Sequence, residues 1–264
     1  MKVYISADIE GVTGVTHWDE TELGHHTHAA AAAQMKREVM AAIKGALAAG
    51  AKEIYVKDAH DSGRNMDFTG FPDQVTLIRE WTCTPESMMA GLDESFDAVI
   101  YIGYHSPAYG NGNPLAHTMN TQNNYFKVNG DYWAEFDLNS TIATHYGVPV
   151  VFLSGDEALC QIAKSKVPQM ETVGVKRGVG DATFNMSTDK ACKLIEAGVK
   201  KGLKKAKKCL YPSAEKYVME INYKEHVRAL RASYYPGVKQ LDEHTVSFTT
   251  KDVPSLIACR MFIL

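Results

Sequence analysis

Residues 2–14 read KVYISADIEGVTG. The stretch begins as an apolar, β-type run and ends in two acids, Asp8 and Glu10, beside a glycine. Side chains two positions apart on a strand point to the same side, so these carboxylates repel each other unless a positive group lies between them. The stretch therefore predicts a buried strand whose carboxyl end presents paired acids in need of a positive partner.

Beyond this strand, β-type and helical patterns alternate along the chain. Residues 28–50 are rich in helix formers and end at Gly50, a typical helix stop. Apolar strands follow in the stretches EIYVKDAH, FDAVIYIGYH and VPVVFLSGD, and their continuous apolar character suits burial on both faces. The alternation predicts an α/β fold with a mainly parallel sheet and helices on both faces.

The middle and the carboxyl-terminal part follow a different pattern. Asn129 and Gly130 stand between two aromatic-rich runs and predict a β-hairpin. A helix ending at Gly147 is predicted next, and a long lysine-rich helix is predicted from about residue 187 to Cys209. We expect a metal-binding α/β catalytic domain over residues 1–180 and a smaller α+β portion over residues 181–264.

Composition and charge exclude several classes of protein. The formal net charge of −3 argues against broad nucleic-acid binding, and no apolar stretch approaches the length that spans a bilayer. The first ten residues form a strand pattern that reaches acids early, unlike a signal peptide. The five cysteines are scattered and odd in number, which favours reduced thiols and a cytoplasmic location.

Three predicted strands end in an acid or an imidazole at one edge of the sheet. Asp8 and Glu10 follow the first strand, His60 follows the second, and His105 ends the strand AVIYIGYH. Functional groups collect at the carboxyl ends of strands in open α/β sheets. Carboxylates and imidazoles without cysteine are ligands typical of zinc or another first-row divalent metal. We therefore predict a metal site, and the paired acids favour two ions that share a carboxylate.

Five motifs, in this order, resemble those of the zinc D-aminopeptidases encoded with bacterial dipeptide transporters. They are DIEGVTG, KDAHDSGRN, GYHSPA, LAHTMN and AEFDLNS, and they lie within residues 1–160. The resemblance implies a binuclear zinc hydrolase with two Zn²⁺ per chain. It places the metal ligands on Asp8, Glu10, His60, His105 and Glu135, and the catalytic residue on His117.

The resemblance also implies an activity and an assembly. We expect a cytoplasmic aminopeptidase that hydrolyses N-terminal residues, D-amino acids in particular, from short peptides. In this hypothesis Asp8 bridges the ions, a metal-activated water attacks the carbonyl, and His117 passes a proton to the leaving amine. The family implies a ring-like homo-oligomer such as a decamer. The aromatic residues of the hairpin, Tyr125, Phe126, Tyr132 and Trp133, fit either an interface or a core.

The sequence departs from the family pattern beside two of the implied ligands. Lys57 stands where the family has Asn before the acid of KDAH, and Trp133, Phe136 and Asp137 replace the small residues expected around Glu135. None of these changes removes a ligand. They leave the shape of the pocket, and with it the substrate, less defined than the chemistry.

Alternative functions use the same residues differently. A binuclear metal phosphoesterase would need cations near the phosphate, for which Lys57 and Arg64 are candidates. Another amidohydrolase, or a non-catalytic module that captures a small amine, would also suit acids at strand ends. Nucleic-acid and membrane partners are not expected.

Several polar residues near these motifs have more than one interpretation. His25, His26 and His28 are interpreted as a polar loop that enters a helix with Thr27 as N-cap, rather than as a metal tract. Asp58 and Asp61 are interpreted either as partners that orient an imidazole or as turn residues.

Overall fold

The computed structural model describes all residues from Met1 to Leu264. The strands are β1 (Lys2–Ala7), β2 (Glu53–Asp58), β3 (Val75–Ile78), β4 (Ala98–Tyr104), β5 (Asn123–Val128), β6 (Asp131–Tyr132), β7 (Val150–Asp156), β8 (Glu171–Val179), β9 (Ala182–Asn185), β10 (Tyr217–Tyr223), β11 (Lys239–Gln240) and β12 (Thr245–Thr250). The α-helices are α1 (His28–Ala48), α2 (Glu135–His145), α3 (Glu157–Lys166), α4 (Thr188–Leu203), α5 (His226–Ser233) and α6 (Val253–Ile263). No helix combines the length and the apolar composition needed to cross a lipid bilayer.

Seven strands form the larger sheet in the order β3-β2-β1-β4-β7-β8-β9. All neighbouring pairs from β3 to β8 are parallel, and only the edge strand β9 runs antiparallel to its neighbour. Every residue of β4 and β7 is buried, as their apolar sequences require. Helices flank this sheet. The predicted α/β fold is confirmed.

The order of the strands reverses between β1 and β4. In open α/β sheets, ligands bind in the crevice beyond the carboxyl ends of the strands at such a reversal. The acids after β1 and the histidine after β4 flank this point, so the topology itself selects them as candidates for a functional site.

The smaller sheet is antiparallel, in the order β11-β12-β10-β5-β6. Strands β5 and β6 form the hairpin that the sequence predicts around Asn129 and Gly130. The φ angles of these residues, 54° and 89°, are those of a type I′ turn. This sheet combines strands from residues 123–132 with strands from residues 217–250, and the division at residue 180 stays a prediction.

Two helix ends differ from the sequence patterns. Thr27 occupies the N-cap position of α1, but its hydroxyl donates to the carbonyl of Asp19 at 3.0 Å and makes no cap bond to the helix. The lysine-rich helix α4 ends at Leu203 instead of continuing to Cys209. The chain leaves the helical path there, because the carbonyl of Cys209 accepts a hydrogen bond from the amide of Val150 at the start of β7.

Two glycines allow the loop after β1 and the strand β7 to approach the backbone of β4 closely. A Cβ added to Gly11 or to Gly155 would lie 1.9 Å from the carbonyl oxygen of Tyr104. That oxygen belongs to the backbone of β4 and cannot move without moving the strand. These positions therefore accept no side chain.

Replacing Gly155 by alanine is expected to destabilise the protein by about 3 kcal/mol, because the new methyl group overlaps a backbone atom that cannot relax cheaply. Chemical denaturation measures the change. Gly147→Ala is the control, since a Cβ there meets nothing within 4 Å and only the φ of +72° adds strain, worth about 1–2 kcal/mol. Equal losses in the two variants would contradict the close approach of the strands.

Candidate metal centre

The side chains predicted from the strand ends lie together at the carboxyl end of the larger sheet. Asp8 follows β1, His60 follows β2 and His105 follows β4, and β1 lies between the other two strands. Glu135, at the first position of α2, and His117, between β4 and β5, join the same cluster. All five predicted ligands are buried, and the His117 side chain is 13% exposed.

The three imidazoles are oriented in the same way. Each has one ring nitrogen 2.9 Å from a backbone carbonyl, to which it donates as N–H. The pairs are His60 Nε2 with Thr21, His105 Nδ1 with Ser106, and His117 Nδ1 with Leu115. The other nitrogen of each ring points into the cluster, where it can carry a proton or bind a cation. Metal-binding histidines are commonly fixed by such a bond from the far nitrogen.

The inward nitrogens of His105 and His117 face carboxylate oxygens at distances longer than an ordinary hydrogen bond. His105 Nε2 lies 3.5 Å from Asp8 Oδ2 and 3.5 Å from Glu135 Oε2. His117 Nε2 lies 3.5 Å from Glu135 Oε1 and 3.7 Å from Glu10 Oε1. A lone pair repels a carboxylate across such a gap unless a proton or a cation lies between them.

His60 makes the shortest of these contacts. Its Nδ1 lies 3.0 Å from Glu10 Oε2 and 3.2 Å from Asp8 Oδ1. One imidazole nitrogen therefore reaches both acids of the DIE motif. The two carboxylates point to the same side, as their spacing on the strand predicts.

The pKa values of the cluster show strong mutual influence. Burial and the neighbouring Glu10 raise the pKa of Asp8 well above its usual value. Burial lowers the pKa of His105, but the carboxylates of Glu135, Glu10 and Asp8 together outweigh it and raise the pKa to about 10. Burial opposes ionisation of Glu135, yet His105 lowers its pKa to about 2. Protons on imidazoles thus balance the buried carboxylates in the metal-free protein.

His117 differs from the other two imidazoles. Burial and the charge of the stacked His105 ring, whose centroid is 4.3 Å away, lower the pKa of His117. A neutral imidazole with a free Nε2 can accept a proton or bind a metal ion.

The cluster fits a metal ion on chemical grounds. Three of its buried atoms, Asp8 Oδ2, Glu10 Oε2 and His105 Nε2, have no hydrogen-bond partner. Buried charged groups without partners are costly, and coordination of a cation removes that cost. Three sets of side chains have ligand atoms within 4.8 Å of one another. They are Asp8–Glu10–His60, Asp8–His105–Glu135 and Glu10–His105–His117.

Asp156 is a buried acid that orients His105 through Ser106, and the sequence patterns did not identify it. Asp156, at the end of β7, accepts hydrogen bonds from the amide and the hydroxyl of Ser106 at 2.6 and 2.7 Å. The carbonyl of Ser106 in turn accepts the N–H of His105. Asp156 also caps α3 by accepting from the amide of Leu159 at 2.8 Å. Its position after a strand, before a helix, is the signal that could have identified it.

A buried lysine holds the loop that carries Glu10. Lys176, on β8, donates from Nζ to the backbone carbonyls of Glu10 and Val15. Burial lowers the pKa of Lys176 to about 8. Asn113 donates to the same Glu10 carbonyl at 3.0 Å. The Lys176 ammonium therefore fixes the loop after β1, and its positive charge also favours the ionised form of Glu10.

We expect Asp156→Asn to cost about 2–3 kcal/mol of stability and to reduce activity. An amide has one acceptor oxygen, so at least one buried donor loses its partner. Asp252→Asn is the matched control, because Asp252 caps α6 at an exposed position and bonds only there and to Thr250. Asn is as good an N-cap as Asp. Denaturation and peptidase assays measure both variants, and equal effects would contradict a role for Asp156 in orienting His105.

A cavity of about 300 Å³ opens onto the cluster. Its wall includes the indoles of Trp18 and Trp81, which the sequence motifs did not single out. Trp18 lies edge-on to His117 with centroids 5.3 Å apart. Trp81 donates from its indole N–H to the carbonyl of Asp61 at 2.6 Å, and the ammonium of Lys57 lies 4.1 Å from its ring centroid.

Other polar residues noted in the sequence lie outside the cluster. His25 contacts Thr27, and His28 bonds Asn65 at 2.9 Å, so neither belongs to a candidate metal set. Asp58 accepts from Asn65 and shapes the loop after β2, without touching an imidazole. Arg64 pairs with Glu80 at 3.0 Å. A larger cavity, of about 890 Å³ between α1 and α4, contains none of the six cluster residues.

Comparison with known proteins gives the family. The family model for D-aminopeptidases, peptidase family M55, matches residues 1–262. The chain belongs to the D-aminopeptidase family. The family resemblance read from the five motifs is thus confirmed, and so is its consequence that the chain is a metallo-aminopeptidase, a hydrolase acting on peptide bonds.

One similar protein and one solved structure, both from Bacillus subtilis, match this D-aminopeptidase over nearly its full length. A D-aminopeptidase of Bacillus subtilis (strain 168) is 28% identical over 257 residues, which are 96% of this chain and 93% of that protein. The solved structure of the Zn-dependent D-aminopeptidase DppA from Bacillus subtilis, described as a self-compartmentalizing protease, superposes with a TM-score of 0.93 at 26% identity. The superposition covers all of this chain and 96% of DppA.

Proposed function

We propose that the protein is a binuclear zinc aminopeptidase that removes N-terminal D-amino acids from short peptides. One observation carries the proposal. The sets Asp8–Glu10–His60 and Asp8–His105–Glu135 share only Asp8, and each of the other four predicted ligands belongs to one set. Two ions bridged by one carboxylate would use the residues in this way. The zinc dependence of DppA supports the choice of metal, and the family supports the preference for D-amino acids.

Zinc, when bound, lowers the pKa of a coordinated water from about 16 towards 7 and polarises a carbonyl oxygen. The chain supplies the proton transfer. His117 donates its Nδ1–H to the Leu115 carbonyl, so Nε2 is available to accept a proton and pass it to the leaving amine. Trp18 holds the ring edge-on at the cavity wall. The small cavity of about 300 Å³ favours short side chains beside the cleaved bond.

The phosphoesterase alternative depends on cations near the cluster. Lys57 donates to the backbone carbonyls of Asp58 and Glu80, and Arg64 pairs with the Glu80 carboxylate. Neither lines the cavity, and no other lysine or arginine does so. Phosphate groups are normally held by such cations, so the wall favours a peptide over a phosphoester.

The test combines metal analysis with three substrates. We expect about two zinc ions per chain and chelator-sensitive release of D-alanine from D-Ala-D-Ala, with slower hydrolysis of L-Ala-L-Ala and of p-nitrophenyl phosphate. Full peptidase activity in a metal-free preparation, or a preference for the phosphoester, would overturn the proposal.

We also propose that the enzyme assembles as a ring-like homo-oligomer that encloses its active sites. The description of DppA as self-compartmentalizing supports this. Of the hairpin aromatics, Phe126 and Trp133 are buried in the core. Tyr132 is exposed and stacks on Tyr109, which is itself 73% exposed. Light scattering of the purified protein tests the assembly, and a monomer at micromolar concentration contradicts it. The cytoplasmic location stays a prediction.

A further inference from the structure

We propose that Trp81, held in place by the buried ammonium group of Lys57, limits the size of the side chain that a substrate can carry beside the cleaved bond. The inference rests on the proposed peptidase function and names the residues that set its substrate class. That class is peptides with a small residue, such as alanine, on the side of the bond that faces Trp81.

Trp81 forms part of the wall of the cavity beside the metal cluster. Its side chain lines the cavity of about 300 Å³ together with Asp8, Glu10, His60 and Glu135. A substrate whose carbonyl group reaches these ligands must place the neighbouring side chains within the same cavity. A volume of this size is at the lower end of the range for ligand sites. The indole of Trp81 is therefore a large part of what bounds the substrate.

The segment that carries Trp81 is fastened to the loop after β2, which carries His60. The indole N–H donates to the carbonyl of Asp61 at 2.6 Å, and the amide of Glu80 donates to the carbonyl of Gly63 at 2.8 Å. A Cβ added to Gly63 would lie 2.8 Å from the Cα of Glu80, so the two backbones are in direct contact. Trp81 therefore keeps a fixed position relative to His60.

The backbone on both sides of Trp81 has left-handed conformations. Glu80 has a φ of 65° and Cys83 a φ of 57°, values that residues other than glycine rarely adopt. Such conformations persist only where the surrounding contacts hold them, and they are concentrated at ligand-binding sites. The contacts of this segment thus offset its strain and hold an aromatic ring at the cavity wall.

Lys57 supports the ring of Trp81 from the interior of the protein. Its side chain is fully buried, and its ammonium group lies 4.1 Å from the centroid of the Trp81 ring. The same group donates to the backbone carbonyls of Asp58 and Glu80. Burial lowers the pKa of Lys57 to about 8, so the amine is still charged at pH 7. Lys57 does not line the cavity, so it is a positioning residue that acts through Trp81.

The test compares three peptides, D-Ala-D-Ala, D-Phe-D-Ala and D-Ala-D-Phe, with the zinc-loaded enzyme at pH 7. Release of the N-terminal residue is followed by chromatography. The kcat/KM for each phenylalanine peptide is divided by that for D-Ala-D-Ala, and this ratio does not change when a variant loses activity on all peptides alike.

The variants change the ring or its support. Trp81→Ala removes the indole, and Trp81→Leu keeps an apolar side chain in case the alanine variant does not fold. Lys57→Met keeps the length of the side chain and removes the ammonium group, whereas Lys57→Arg keeps a cation. Phe68→Ala is the matched control. Phe68 is 66% exposed, has the guanidinium of Arg79 5.3 Å from its ring centroid, and does not line the cavity.

We expect the wild type to prefer D-Ala-D-Ala to at least one of the phenylalanine peptides. This preference should fall at least tenfold in Trp81→Ala, since discrimination by pocket size reaches roughly 10–200-fold, and by less in Trp81→Leu. It should fall roughly two- to fivefold in Lys57→Met, the size of a cation–π contact at a partly exposed ring. Lys57→Arg should restore it, and Phe68→Ala should match the wild type.

Unchanged ratios for both phenylalanine peptides in the Trp81 variants would overturn the inference, and so would an equal change in Phe68→Ala. A ratio in Lys57→Met equal to that of the wild type would contradict the role of Lys57. Zinc content should be equal in all proteins, and loss of zinc from both Trp81 variants would make Trp81 a support of the metal site, against the inference. Failure of every protein to hydrolyse D-Ala-D-Ala would instead overturn the proposed function.

Discussion

Replacing Asp8 by asparagine is expected to abolish zinc binding and peptidase activity together. Asp8 is the only residue common to the two sets that use the five predicted ligands. A neutral amide at this position cannot bridge two cations, so neither set remains complete. Metal analysis after dialysis, with a D-alanyl peptide assay on the same samples, measures both losses.

The same substitution is expected to have the opposite effect on the metal-free protein. Burial and Glu10 raise the pKa of Asp8 well above its usual value, so its charged form is disfavoured in the folded state and costs stability at pH 7. Asp8→Asn should therefore be at least as stable as the wild type in a chelator. The wild type should gain about 4 kcal/mol when free zinc reaches 1,000 times its Kd, and the variant should gain little.

Asp61→Asn is the control for this prediction. Asp61 lines the same cavity but belongs to no candidate metal set, so its variant should keep the zinc content and the stabilisation by zinc. A variant Asp8→Asn that retained two zinc ions per chain would refute the assignment of Asp8 as the shared ligand.

Replacing His117 by alanine is expected to lower kcat by about 10²–10⁴-fold while zinc binding is kept. General acid–base catalysis by a positioned imidazole contributes a factor of this size. His117 is not among the five residues of the two sets that share Asp8, and its ring is the most accessible of the three. Steady-state kinetics and metal analysis of the purified variant give the two numbers needed.

The metal content separates the two possible roles of His117. It also belongs to a third set, with Glu10 and His105. Loss of one zinc ion in His117→Ala would make it a ligand, and unchanged turnover would remove it from the mechanism. His145→Ala is the control, because this imidazole is exposed at the opposite end of α2 from Glu135 and belongs to no candidate metal set; its turnover should equal that of the wild type.

The fold and part of the candidate site follow from local patterns in the sequence. The apolar strands, the helix that ends near Gly50 and the turn at Asn129 and Gly130 are short-range signals, and the structure has each of them. The carboxyl ends of parallel strands share one edge of a sheet. Asp8, Glu10, His60 and His105 could therefore be grouped before any coordinates were known.

Residues that join the site from other elements could not be grouped in this way. Glu135 begins a helix, and its role came only from the family resemblance. Asp156, Lys176 and Trp81 act through contacts to Ser106, to the loop after β1 and to Asp61, which lie 50, 161 to 166 and 20 positions away along the chain. No periodicity or spacing encodes such pairs.

The sequence alone specified the type of fold, the edge of the sheet where acids and imidazoles meet, and the chemical kind of ligand that they bind. Only the folded chain decided which nitrogen of each histidine points inward and which cations stay out of the cavity. The reason is physical. Secondary structure and strand direction depend on neighbouring residues, whereas ring orientation and cavity charge depend on hydrogen bonds between segments that are brought together only by packing.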